Sequence, residues 1–210
     1  MQLNKRLPKT PKELNQEIKI DQIRHGFVKV FMRDGYAGAS VDDISREAKT
    51  SKATMYKYFP DKSYMFIDML EITMAQAFSG KAFKRLLDEP PKFVLAKILY
   101  DLAEWSTSEP RPSLLRLVVS EVERFPQGAQ DYASGIARNV TEPLKSIIDK
   151  WIVTGEIKHH NIDDSAFQLS TLVMAQAQYP IMLGLEKLDN AQLVRISNEA
   201  AELFLTRYGI

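Results

Sequence analysis

Apolar positions fall at helical spacing from early in the chain. Between Ile18 and Asp34, Ile23, Phe27, Val30 and Phe31 recur at i, i+4, i+7 and i+8, one stripe of an amphipathic helix. Gly35 stands where a helix ends on a left-handed residue, so the pattern predicts a stop there. A short second helix follows, because Ser40 can cap it with Asp43 three residues on, while Val41, Ile44 and Ala48 face inward. Ser51 is placed to cap a third helix of about two turns. Met55, Tyr58 and Phe59, at i, i+3 and i+4, form its buried side, which leaves Lys52, Ala53, Tyr56 and Lys57 on the other. Phe59 precedes Pro60, which disfavours helix at Phe59 and lets a new helix begin near Asp61.

Downstream there is no alternating run of β-branched residues and no Asn-Gly or Asp-Gly hairpin signal. Breakers such as DEPP, SEPRPS, FPQG and TGEIKHHNIDD divide this part into helices expected near 61–79, 91–107, 113–125, 127–154, 163–185 and 190–208. Residues 1–16 hold Pro8, Pro11 and four cations, Lys5, Arg6, Lys9 and Lys12, with little periodicity, and are expected to form a mobile arm. The predicted fold class is all-α, with about nine helices. A three-helix module at 17–62 precedes a larger helical domain at 63–210.

Charge sharpens this division. Residues 1–62 carry 13 Lys and Arg against 8 Asp and Glu, whereas the remainder carries 15 against 19, although the whole chain is only +1. A basic end on a mildly acidic body suits contact with a polyanion through that end. The chain has no cysteine, which excludes a disulfide framework, a thiolate metal site and a cysteine nucleophile. No apolar run is long enough for a membrane span and the N-terminus lacks a signal peptide's apolar region, so a cytoplasmic protein with no membrane partner is expected. His25, His159 and His160 show no ligand spacing, so no metal and no cofactor are assigned. Phosphate-loop, nucleophile-elbow and dinucleotide motifs are missing from the sequence, and no enzyme is expected.

A long helix, a short one, a turn and another short helix in a basic segment follow the plan of a helix-turn-helix that reads double-stranded DNA. In SKATMYKY, Lys52 and Lys57 can neutralise phosphates, and Ser51 and Thr54 can bond phosphates or base edges. Ala53 can meet a thymine methyl, and Tyr56 can reach a phosphate through its hydroxyl. The run IRHGFVKVFMRDGYAGASVDDISREAKTSKATMYKYFPDKSYMF, Ile23 to Phe66, resembles the N-terminal domain of the tetracycline-repressor (TetR) family of bacterial transcription regulators. The resemblance implies that Ser51 to Lys57 meet the major groove while Ser40, Tyr56 and Lys62 hold the DNA backbone. The turn departs from the family's Ala-Gly-Val and reads Ala48, Lys49, Thr50. Lys49 in place of glycine either changes the backbone or bears strain at positive φ, and it can add a phosphate contact.

The resemblance further implies a homodimer and a small-molecule effector bound in the larger domain. Helix 163–185 is apolar on more than one side, with Phe167, Thr171, Met174 and Gln178 on one strip and Leu172, Ala175, Gln176 and Tyr179 on another. One strip is expected to face the core. The other, with Ala200, Ala201, Phe204 and Leu205, is expected to form a two-fold four-helix interface. Effector-pocket candidates are the aromatic and methionine positions Met65, Met69, Phe78, Trp105, Tyr132, Trp151 and Met174, together with Gln178. Glu121 falls on the stripe Leu114, Leu117, Val118, Val122, Phe125, where it either pairs with Arg124 or recognises a ligand. The expected function is a ligand-responsive, dimeric DNA-binding repressor of a palindromic operator, released by an apolar or aromatic effector. The alternative is a helical carrier or enzyme that keeps a degenerate helix-turn-helix.

Overall fold

The computed structural model describes residues 11–75 and 89–210. The chain divides into two compact units, residues 1–70 and 71–210. Every regular element among the described residues is a helix, and the one β feature there is an isolated bridge between Ile157 and Gly209.

In the first unit, α1 spans Pro11–Gly38, α2 Val41–Glu47 and α3 Lys52–Tyr58, and α4 (Lys62–Ala75) starts there. Helix α1 starts earlier than the sequence pattern predicts, because Pro11 has the fixed φ of a first helical residue and good helix formers follow it. Residues 11–16, expected within the arm, are thus helical. Gly35 interrupts α1 at φ 70° and ψ 177°, a conformation open essentially to glycine alone. The core is aromatic. Phe59 sets its ring edge-on to Phe27 at 5.3 Å, and Phe66 meets both Phe31 at 5.4 Å and Tyr36 at 5.1 Å. Ile23, Phe27, Val30 and Phe31, the stripe legible in the sequence, are fully buried.

The second unit is a helical bundle. Its helices are α5 (Pro91–Thr107), α6 (Arg111–Ser120), α7 (Pro126–Ile136), α8 (Glu142–Val153), α9 (Ile162–Met182) and α10 (Asn190–Tyr208). Its core draws Leu95 and Leu99 from α5, Ile148 and Trp151 from α8, Val173 from α9, and Ile196 and Phe204 from α10. Each such side chain contributes about 1.5–3 kcal/mol on burial. The single helix expected over 127–154 is split by a π-helical turn at Ala137–Thr141, where the Glu142 N–H reaches the Ala137 carbonyl. Pro143 explains the split, since it lacks an N–H and its ring crowds the carbonyl four residues back, so the preceding turn widens. Helix α6 ends at Ser120, making Glu121 a capping residue and leaving Val122 and Phe125 outside the stripe assigned to them. Phe125 precedes Pro126, which disfavours helix at that point.

Candidate nucleic-acid interface

Helix α3 is held by its ends and one side. The Ser51 hydroxyl accepts the Thr54 N–H at 3.1 Å and lies 2.8 Å from the Thr54 hydroxyl, capping the first turn. Met55 and Phe59 are buried beneath the helix, and Phe59 leaves it in an extended conformation, as its place before proline predicts. Lys52, Ala53, Tyr56 and Lys57 are exposed on the opposite side and Thr54 is half-buried. Tyr58, expected in the docked set, is only half-buried, with the Lys57 ammonium 5.9 Å from its ring.

The turn before α3 has a definite geometry. Lys49 takes φ 47°, so the glycine-like conformation is kept with a lysine in it. Its N–H donates to the Arg46 carbonyl at 3.2 Å, and the Thr50 N–H donates to the Ser45 carbonyl at 3.1 Å. That pair is a Schellman closure of α2 with lysine at the left-handed position. Ser45 adds a hydroxyl bond to the Thr50 carbonyl at 2.5 Å. From α1, Gln22 Nε2 donates to the carbonyls of Ala48 at 2.5 Å and Lys49 at 3.2 Å. A Cβ on Gly26 would stand 2.6 Å from the Ala48 Cβ and 2.8 Å from the Ala48 nitrogen, so only glycine lets α1 lie this close to the end of α2. Lys49 is exposed and Thr50 half-buried.

Around this frame, Ser40 caps α2, accepting the Asp43 N–H at 3.0 Å and donating to the Asp43 carboxylate at 2.5 Å. That bond, then Arg46, holds the Asp43 carboxyl below its usual pKa. Lys62 Nζ donates to the carbonyls of Tyr36 at 2.8 Å and Ala39 at 2.9 Å and lies 4.3 Å from the Tyr36 ring. Its first task is to tie the start of α4 to the link between α1 and α2. Arg24 Nε and Nη2 fork onto the two oxygens of Asp68, each at 2.8 Å, bracing α1 against α4. Lys52 Nζ sits 2.6 Å from Asp42 Oδ1, and this bond raises the lysine's pKa. Gln22, Gly26, Arg24 and Asp42 were not singled out in the sequence. Of these only Gly26, an isolated glycine inside a helical pattern, carries a local sign of tight packing.

The pocket candidates scatter. Met65 and Met69 are fully buried and belong to the first unit. Phe78 lies outside the described residues. Trp151 is in the bundle core. Gln178 is buried, donating to the Ser106 carbonyl at 3.2 Å, which brings it to the end of α5 beside Trp105. Trp105 carries the Arg111 guanidinium 5.1 Å from its ring, and burial lowers the Arg111 pKa. Tyr132, whose hydroxyl pKa is raised by burial, and Met174 are half-buried. The Glu121 side chain is largely covered, with Arg124 at 3.5 Å. Of the interface candidates, Ala200, Ala201 and Phe204 are buried in the unit's own core, and Leu172 and Leu205 pack against its edge. Gln176 and Tyr179 are exposed. The other expected strip is exposed at Phe167 and Thr171 and buried at Gln178, because the far end of α9 meets α5.

A short capped helix docked by one side and bearing cations on the other, entered through a pinned turn, defines a helix-turn-helix module. Residues 23–69 match the family described as bacterial regulatory proteins, tetR family, and residues 94–210 match the C-terminal domain of AefR-like transcriptional repressors. The chain belongs to the TetR family of DNA-binding transcription regulators. The HTH-type transcriptional repressor NicS of Pseudomonas putida is 26% identical over 159 residues, covering 76% of this chain and 73% of that protein. A TetR-family regulator of Mesorhizobium loti superimposes with a TM-score of 0.82 at 22% identity, over 96% of this chain and 100% of that one. FadR of Bacillus subtilis, solved in complex with stearoyl-CoA, gives a TM-score of 0.62 at 21% identity over 89% and 98% of the two chains.

Proposed function

We propose that the chain is a repressor that binds a palindromic DNA site as a homodimer and releases it on binding a small apolar or aromatic effector. The observation that carries this reading is the outer side of α3, where Lys52, Ala53, Tyr56 and Lys57 stand exposed opposite the docked Met55 and Phe59. Ser51 and Thr54 at the start of that helix, with Ser40, Lys49 and Thr50 on the flanking elements, complete the contact set. Lys62 acts on it by fixing the link between α1 and α2.

The dimer reading is supported by apolar surface on the second unit. Tyr179 and Leu203 are 66% and 63% exposed, and α9 and α10 flank a groove of about 260 Å³ lined by Leu172, Leu203 and Phe204. Surface of this kind, repeated on a second copy, suits an isologous interface. Two α3 helices about 34–36 Å apart would then read the two halves of a palindrome. The effector reading is supported by the half-buried Trp105, Tyr132 and Met174, and by stearoyl-CoA in the Bacillus subtilis protein of the same fold. The test is to select duplexes from a random library with the purified chain and to sediment the complex. The expected result is an inverted repeat carrying two subunits. A selected site without symmetry, or a monomer at micromolar concentration, overturns the proposal.

A further inference from the structure

The cation at the start of α3 is already engaged. Lys52 Nζ lies 2.6 Å from Asp42 Oδ1, and the pair spans from the first turn of α2 to the first residue of α3. The neighbouring Asp43 has its own work in the cap with Ser40 and the pair with Arg46, whereas the Asp42 carboxylate is 68% exposed and turned toward α3. An isolated carboxylate at this position would repel the phosphates that the rest of the surface attracts. Joined to Lys52 it forms a pair with no net charge. The lysine then has N–H donors left over, on an ammonium whose position beside α2 is set by the pair.

We propose that Asp42 is a specificity-determining residue: by holding Lys52 it converts that lysine from a neutraliser of phosphate into an aimed donor to base-edge acceptors in the major groove. This rests on the DNA-binding reading above. The physical basis is the difference between the two kinds of contact. A phosphate contact releases counterions and steepens the salt dependence of binding by about 0.9 in the log–log slope, whatever the sequence. A donor aimed at guanine N7 or O6 discriminates between sequences and adds little to that slope when its charge is already balanced.

The experiment measures affinity against salt for a duplex selected from a random library by the wild-type chain, and for mixed-sequence DNA. Asp42→Asn frees Lys52 for phosphate. It is expected to steepen the slope by about 0.9 per bound subunit on both DNAs and to narrow the ratio between them. The double variant Asp42→Asn with Lys52→Ala, which removes the pair without leaving a lone carboxylate, is expected to weaken binding to the selected duplex about tenfold while leaving the slope unchanged. Asp42→Glu, which keeps the carboxylate beside Lys52, should retain the wild-type slope. An Asp42→Asn slope equal to wild type overturns the proposal, as does a double-variant slope flatter than wild type by about 0.9. Failure of the wild-type chain to bind DNA in a salt-dependent way overturns the DNA-binding reading itself, a result distinct from either variant outcome.

Discussion

Lys49→Gly should make the first unit more stable, although it removes a side chain. Lys49 sits at φ 47° between the closing bonds of α2 and the cap of α3, so its Cβ is held in the left-handed region. That conformation costs an L-residue about 1–2 kcal/mol. Glycine removes the cost but gives up about 0.5–1 kcal/mol of extra backbone freedom on folding. The net gain is about 0–1.5 kcal/mol, centred near about 0.75 kcal/mol. Lys49→Ala is the control, since it keeps the Cβ and its strain while removing the ammonium, and it should change stability by no more than about 0.5 kcal/mol. Trp105 and Trp151 both lie in the second unit, so tryptophan fluorescence would not report the first. Hydrogen exchange of the α1 to α3 amides across a urea series does, and the glycine variant should move their midpoint upward with an unchanged slope. Equal midpoints for the glycine and alanine variants would refute the reasoning, because the strain would then not be there to relieve.

Other substitutions test other parts of the frame. Gly26→Ala should destabilise the unit by about 1–3 kcal/mol, since the new methyl meets Ala48 backbone as well as its side chain, and a thermal melt measures the loss. Gly35→Ala should cost about 1–3 kcal/mol through its backbone conformation alone, having open space around the added methyl. Lys62→Ala should cost about 1–3 kcal/mol by removing the donor to the Tyr36 and Ala39 carbonyls, read as faster exchange at the link between α1 and α2. Because bonding to Ser40 and Arg46 lowers the Asp43 pKa in the folded chain, its contribution is complete above the unfolded value of about 3.9 and is lost as pH falls through the lower folded value. Asp43→Asn should therefore lose less stability than wild type on acidification through that range.

What was legible in the sequence was the local physics. Ser40 and Ser51 cap their helices because a hydroxyl one residue before an amphipathic run has a backbone N–H to accept, whatever surrounds it. The docked stripe of α1 was legible for the same reason, since 3.6-residue spacing and burial follow one another closely. The missing parts depend on partners distant in the chain. Gln22 reaches across 26 residues to the Ala48 carbonyl, and nothing near Gln22 signals it. The split of α7 from α8 depends on one proline whose effect falls on the preceding turn, so a periodic apolar pattern runs through it unbroken. Trp151 illustrates the limit for pockets, because an aromatic position on a helix looks the same whether it faces a ligand or, as here, the core.

If the outer side of α3 meets DNA phosphate and base edges, the exposed Lys57 is a phosphate contact whose loss can be read in isolation. The measurement is the slope of log affinity against log salt for a selected duplex, wild type against Lys57→Ala. Loss of one phosphate contact predicts a slope flatter by about 0.9 for each bound subunit, with affinity lowered on specific and mixed-sequence DNA alike. An unchanged slope with unchanged affinity would show that this side of α3 does not meet DNA.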